Sequence, residues 1–298
     1  MLKNKRNLKK CFLNKVEYVN SALRRILPND SSLISKSMRY SVLAGGKRLR
    51  PILVIIAAEL FGAKSEDVIS AACGVEYFHT YSLIHDDLPA MDNDDFRRGV
   101  PTNHKKFGEA VAILCGDALL TESFNLITKS KSSEKNINLA VRILAECGGH
   151  QGMIAGQVED TIIGKWNKEE KKLLKTKLKF IEIKKTASLI VASLKIGAVL
   201  ADADARSLKA LEIYGKNMGI AFQITDDILD LYADKKLLGK KGSDTGNNKL
   251  TALSLYGRHE AEIKVGKYIN KAKKALKIFE NKSEIFVYMA DYMMCRLY

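Results

Sequence analysis

No proline follows Pro101 in this chain, so the remaining 197 residues lack the one residue that removes a backbone donor and blocks a helix interior. That stretch is rich in Ala, Leu, Lys and Glu, which lose little on entering a helix. With 46% apolar and 28% charged residues, the chain has enough to bury a sizeable core. The expectation is a mostly helical protein.

Local signals agree. Gly45-Gly46 closes one amphipathic segment, and Pro51 sits in the first turn of the next. Ser65, Glu66 and Asp67 open a helix running to about Asp87. The stretch Leu88–Lys105, with Pro89, Gly99 and Pro101, reads as an ordered loop. Helical patterns resume at Glu109–Thr128, Asn136–Cys147, Lys168–Val199 and Ser207–Tyr232, and residues 234–248 form a second polar loop. No alternating strand pattern, fixed repeat or dividing linker is visible, so one all-α domain over residues 1–298 is expected.

The net charge of +15 is uneven. Residues 1–10 contribute +5 and residues 164–185 contribute +6, leaving +4 over the other 266. In the second stretch Leu173, Leu174, Leu178, Phe180 and Ile181 interleave with the lysines, as in a helix with one wet face. A solvated face and an anionic partner both remain open there, and a nucleic-acid-binding role is disfavoured because the excess is local. Five scattered cysteines without a Cys-x-x-Cys pair argue for a reducing compartment. The longest apolar runs carry Glu59 or Lys195, so no membrane span is expected, and the basic N-terminus lacks a secretory apolar core. The cytoplasm is the expected location.

Two aspartate clusters carry the chemistry. Asp86, Asp87 and Asp92 lie in HDDLPAMDNDDFRRG, and Asp226, Asp227 and Asp230 lie in FQITDDILD. Apolar segments precede both, and carboxylates there are costly unless a cation or base neutralises them. Asp226 and Asp230 are about 40° apart around a helix and share a face. Asp86 and Asp92 do not, so Pro89 must end or bend the helix to return Asp92. Carboxylates without nearby His or Cys favour Mg²⁺, with water and substrate phosphates completing its octahedron. Bases accompany the acids: Arg97-Arg98 in the first loop, Lys47, Arg48 and Arg50 at a helix start, and Lys185 and Lys240 further on. Acids and bases together point to two polyanions, one bridged by metal and one held by cations.

In this order of motifs the chain resembles the trans-isoprenyl diphosphate synthases, especially the bacterial farnesyl diphosphate synthases. The motifs are GGKRLRP (45–51), YSLIHDDLPAMDNDDFRRGVPTNHKKFGE (81–109), GDALL (116–120), AGQVED (155–160), KKTASL (184–189), FQITDDILD (222–230) and LGKKGSD (238–244). The resemblance implies an isoprenoid synthase-type helical bundle around a deep central cavity, working as a homodimer. It implies Mg²⁺, three ions per active site, ligated by Asp86, Asp92 and Asp226 with Asp87 and Asp230 assisting. Arg97, Lys185 and Lys240 would hold an allylic diphosphate, and Lys47, Arg50, His79 and Arg98 isopentenyl diphosphate. Thr186 and Gln223 would turn oxygen dipoles to the reacting carbon, with Asp160 behind them. Tyr81, assisted by Ser82, would form the floor that stops the growing product at fifteen carbons, with a twenty-carbon product the alternative. Thr251-Ala252-Leu253 departs from the family's Thr-Tyr-Pro. A class I terpene cyclase is the remaining rival, disfavoured because it needs no Lys47, Arg50 and Arg98 site and carries Asn and Ser in its second metal motif.

Overall fold

The computed structural model describes residues 2–163, 171–237 and 250–295. Among them the chain is helical apart from one two-residue hairpin. Its helices are α1 (Leu2–Ile26), α2 (Leu33–Leu43), α3 (Leu49–Leu60), α4 (Ser65–Asp86), α5 (Asn103–Phe107), α6 (Glu109–Thr128) and α7 (Glu134–Gly148). They continue as α8 (Met153–Ile163), α9 (Lys171–Ile181), α10 (Ser188–Leu200), α11 (Ala205–Leu237), α12 (Ala252–Tyr256), α13 (Arg258–Ala275) and α14 (Glu284–Cys295). The chain forms two compact units, Met1–Leu144 with Lys195–Ala203 and Ala145–Leu194 with Asp204–Tyr298.

The first unit is built on α3 and α4. From Pro51 to Leu60 nearly every residue of α3 is buried, because its sequence is apolar all round. On α4, Gly74 and Gly116 of α6 set the spacing. A Cβ on Gly74 would stand 2.6 Å from the Ser123 carbonyl oxygen, and one on Gly116 would collide with the His85 ring. By length and hydropathy α6 could cross a membrane. Its face through Ala112, Leu119 and Ile127 is instead buried in this unit, and Asp117 and Glu122 stand on its other sides, as in a core helix with one wet face. Inside the same unit, the buried Arg48 guanidinium donates to Glu76 Oε1 at 2.6 Å and to the Val42 carbonyl at 2.7 Å.

In the second unit α11 packs along α13 and α14, and the buried Tyr214 hydroxyl donates to the Phe286 carbonyl at 2.9 Å. The structure departs from the sequence expectation in three places. The loop Leu88–Lys105 contains strands β1 (Phe96–Arg97) and β2 (Val100–Pro101) and the start of α5, all too short to leave a periodic pattern. Arg98 and Gly99 join the strands with φ of 54° and 79°, the left-handed pair that a tight hairpin turn requires. The continuous helix expected at Lys168–Val199 is broken by a π turn, Glu182–Ala187. Such turns lodge an extra residue and re-aim side chains. The second polar loop begins later than expected, because α11 persists to Leu237; residues 238–248 lie outside the described residues.

Candidate active site

In the first unit, α4 ends at Asp86 and the Pro89 loop turns straight back. The Asp92 N–H donates to the Asp86 carbonyl at 2.9 Å, while the N–H groups of Met91 and Asn93 cap Leu88 at 2.9 and 3.1 Å. Asp86 and Asp92, six apart in sequence, thus spring from adjoining backbone, both half-exposed, as the sequence reading required. Asp87 differs. It is buried, and the Arg97 guanidinium grips it through Nε at 2.7 and 2.9 Å and Nη2 at 2.5 Å. Burial pushes the Asp87 carboxyl up, against the pull of Arg97. Arg97 also lies 3.5 Å from Asp94.

A basic group lies in the same unit. Arg98 Nη1 donates to the Gly45 carbonyl, and its guanidinium lies flat against Gly46. A Cβ on Gly46 would come within 2.9 Å of Arg98 Cζ and push the guanidinium aside, and φ there is 128°, a backbone that demands glycine. The double glycine therefore seats Arg98 besides closing α2, a role its local sequence does not display. Lys47 follows, exposed, at the start of α3. Arg50 Nη1 lies 3.1 Å from His79 Nε2. Burial, then the charges of Arg50, Arg98, Arg97 and Arg48, hold the His79 pKa well below the usual histidine value, so the ring is neutral and its lone pair accepts from Arg50. Lys47, Arg50, His79 and Arg98 thus belong to one strongly positive region.

Tyr81 is buried on α4, edge-on to Phe78 at 4.8 Å and to His85 at 5.7 Å. Burial, then Asp86, pushes its phenol up to about 12, so it stays protonated. The Ser82 hydroxyl donates to the His79 carbonyl at 2.9 Å. A larger open hollow, about 620 Å³, lies between α1 and the start of α4 and contains none of these residues.

In the second unit the π turn presents Lys185 and Thr186 in succession. Lys185 Nζ pairs with Asp160 of α8 at 2.6 Å, and a Cβ on Gly156 would strike the Lys184–Lys185 backbone, so α8 abuts the turn. Asp160 therefore acts as the holder of Lys185. The Thr186 hydroxyl donates to Gln223 Oε1 at 2.6 Å, Gln223 Nε2 donates to Asp227 Oδ1 at 2.8 Å, and the Ala252 N–H donates to Asp227 Oδ2 at 3.1 Å. Asp227 thus supports the start of α12, where Thr251 and Ser254 form a capping box. The departure at Ala252 leaves this contact intact, because it uses backbone. Glu182, at the head of the π turn, is buried with Oε1 lacking a hydrogen-bond partner. Burial, then the Asp227 charge, pushes its carboxyl up to about 8. Asp226 is half-buried one residue from Asp227. The Asp230 side chain and Lys240 lie outside the described residues.

Among the described residues no three acid, His or Cys side chains converge as a ready-made metal cage. The donor set at Asp86 and Asp92 is two carboxylates from adjoining backbone without a softer ligand, which fits Mg²⁺ held by few protein oxygens and completed by phosphate.

Comparison with known proteins decides the family. A model of the polyprenyl synthetase family matches residues 31–286. The chain belongs to the polyprenyl synthetase family and is a prenyltransferase. It is 43% identical to a farnesyl diphosphate synthase of Bacillus subtilis, with 88% of each chain aligned. It is 41% identical to a chloroplastic geranylgeranyl pyrophosphate synthase of Catharanthus roseus, over 97% of this chain and 82% of that one. Its fold superposes on a geranyltransferase from Legionella pneumophila with a TM-score of 0.86 at 28% identity, over 99% of this chain and 98% of that one. The family match runs through both compact units.

Proposed function

We propose that this prenyltransferase condenses isopentenyl diphosphate with dimethylallyl and then geranyl diphosphate, releasing farnesyl diphosphate, and that residues 1–298 work as one catalytic domain. The observation that carries this reading is the close return of Asp92 onto Asp86, in the unit that also holds the Lys47, Arg50, His79 and Arg98 region. Asp86, Asp92 and Asp226 would hold three Mg²⁺ ions with the substrate, assisted by Asp87 and Asp230. Bound there, Mg²⁺ stabilises the charge that develops on the departing diphosphate.

The chain's own residues do the rest. Lys185, held by Asp160, and Arg97, held by Asp87, grip allylic diphosphate oxygens, with Lys240 joining them. Lys47, Arg50 and Arg98 fix the second diphosphate, and neutral His79 accepts from Arg50, leaving its other nitrogen to donate. Thr186 and Gln223 turn oxygen dipoles toward the allylic cation without offering it a charged nucleophile. The isopentenyl double bond attacks that cation, and the released diphosphate takes the proton lost. Labelled isopentenyl diphosphate incubated with each allylic primer, followed by chromatography, should give a fifteen-carbon diphosphate. Absence of any condensation product overturns the reading.

Product length rests on Tyr81, whose ring is locked against Phe78 and His85 about one turn below Asp86. The likeness to geranylgeranyl pyrophosphate synthases at 40–41% identity favours a twenty-carbon product as the second reading. Tyr81→Ala should lengthen the product to twenty carbons or beyond at unchanged Mg²⁺ dependence. A fifteen-carbon product from that variant removes Tyr81 as the floor.

A homodimer in the cytoplasm is part of the same proposal. The face of α6 away from its own core leaves Ile113 45% and Leu114 59% exposed, an apolar edge suited to a second copy. Cys11, Cys73, Cys115 and Cys147 are free thiols, in keeping with a reducing compartment.

A further inference from the structure

The basic stretch noted in the sequence finds no use in the proposed reaction beyond Lys185, yet its residues 171–185 form α9 and the start of the π turn in the second unit. Helices α8 and α9 are joined by an ion pair, Glu159 to Lys177 at 3.4 Å, and this pair marks the boundary between inside and outside on both helices. On α9, at 100° per residue, Leu174 and Ile181 lie about 40–60° to one side of Lys177 and turn inward, whereas Leu173 and Phe180 lie about 40–60° to the other. On α8, Gly156 and Asp160 lie on the inward side of Glu159, against the π turn, and Val158 and Ile162 lie about 60–100° away on the outward side. The two outward sets therefore share one surface across the ion pair.

That surface is apolar and basic together. Val158 is 52% exposed, Ile162 41%, Leu173 45% and Phe180 40%, while the exposed Lys172 and Lys179 stand beyond them on α9. A solvated face explains the lysines but not an aromatic ring and three branched side chains held in water beside them. We propose that this outer face of α8 and α9 docks on the headgroup layer of an anionic lipid bilayer. Val158, Ile162, Leu173 and Phe180 enter the boundary between headgroups and acyl chains, and Lys172 and Lys179 meet the lipid phosphates. Charge decides the occupant. A second copy placed on this face by a two-fold axis would set its own lysines against Lys172 and Lys179, whereas an anionic bilayer complements them and is attracted by the net charge of +15. Lys185 and Asp160 lie on the inward side of the same pair, so docking leaves them unoccupied by lipid headgroups. The inference holds whatever the product length.

Flotation of the full chain with phosphatidylcholine vesicles, with and without phosphatidylglycerol, tests it. The chain should float with the anionic vesicles alone and be released by added salt. Leu173→Ser with Phe180→Ser, and separately Lys172→Glu with Lys179→Glu, should each lower binding at least about tenfold while keeping the helical circular dichroism and the activity in vesicle-free solution. Failure to bind anionic vesicles overturns the proposal. So does unaltered binding by both double variants, which transfers the contact to the basic residues 1–10. Loss of a dimer in sedimentation by these variants assigns the face to a second copy and equally overturns it.

Discussion

In the first unit the Asp87 carboxylate is gripped by the Arg97 guanidinium at 2.5–2.9 Å, while in the second Asp227 receives neutral donors, the Gln223 amide at 2.8 Å and the Ala252 N–H at 3.1 Å. The same Asp-Asp dipeptide thus meets a guanidinium through Asp87 in one region and a side-chain amide and a backbone N–H through Asp227 in the other. Where a guanidinium lies on the carboxylate, the acid and its base are fixed as one charged assembly. In the second region burial, then the Asp227 charge, pushes up the carboxyl of a neighbouring buried acid, Glu182. Each region thus sets a base beside an acid, Arg97 at Asp87 in the first and Lys185 at Asp160 in the second, but only in the first does that base lie on the Asp-Asp pair itself.

The comparison breaks most plainly at the first aspartate of each region's pair. Asp86→Ala and Asp226→Ala should each lower turnover by about three orders of magnitude or more, with the helical circular dichroism intact. Near-wild-type turnover of Asp226→Ala at saturating Mg²⁺ would leave the first region acting alone.

Next in size is the cost of removing a balancing partner. Glu76→Ala strands the Arg48 guanidinium, which is 3% exposed, and should lower the unfolding free energy by about 3–5 kcal/mol in urea. Gln223→Ala, which removes a neutral donor from a half-buried carboxylate, should cost about 1–2 kcal/mol. Equal losses would mean that charge does not distinguish the two regions.

Arg98→Ala and Lys47→Ala sharpen the picture on the substrate side. Each should raise KM for isopentenyl diphosphate by an amount equivalent to about 1.5–3 kcal/mol, with little change for the allylic partner, while Lys185→Ala does the reverse. Parallel changes for both substrates would show the division between diphosphates to be misplaced.

The smallest effect concerns Glu182. Its folded carboxyl titrates near 8, well above its ordinary 4.5, so between those values the unfolded chain releases a proton that the folded chain keeps. Stability therefore falls as pH rises through that window. Glu182→Gln should flatten the slope, gaining on the order of 1–2 kcal/mol relative to the parent between about pH 5 and about pH 7. An unchanged slope in urea titrations would place a compensating cation beside Glu182.

The sequence by itself determined the helical class, the positions of both acid clusters and the bases beside them, because hydrophobic period, proline position and spacing are local properties. The Glu109–Thr128 helix was legible to the residue, and the return of Asp92 followed from Pro89 alone. Only the tertiary structure decided what each charge is balanced by. Arg98 lies on Gly45-Gly46 from 52 residues away, Asp160 holds Lys185 across 25, and Asp227 supports Ala252 across another 25. The π turn likewise depends on Gly156 of α8 lying against its backbone, which nothing in Glu182–Ala187 announces. Periodicity fixes which face of a helix is buried, but not which distant side chain meets it. That meeting is set by close packing of the whole unit, where a single absent Cβ admits a guanidinium or a neighbouring helix.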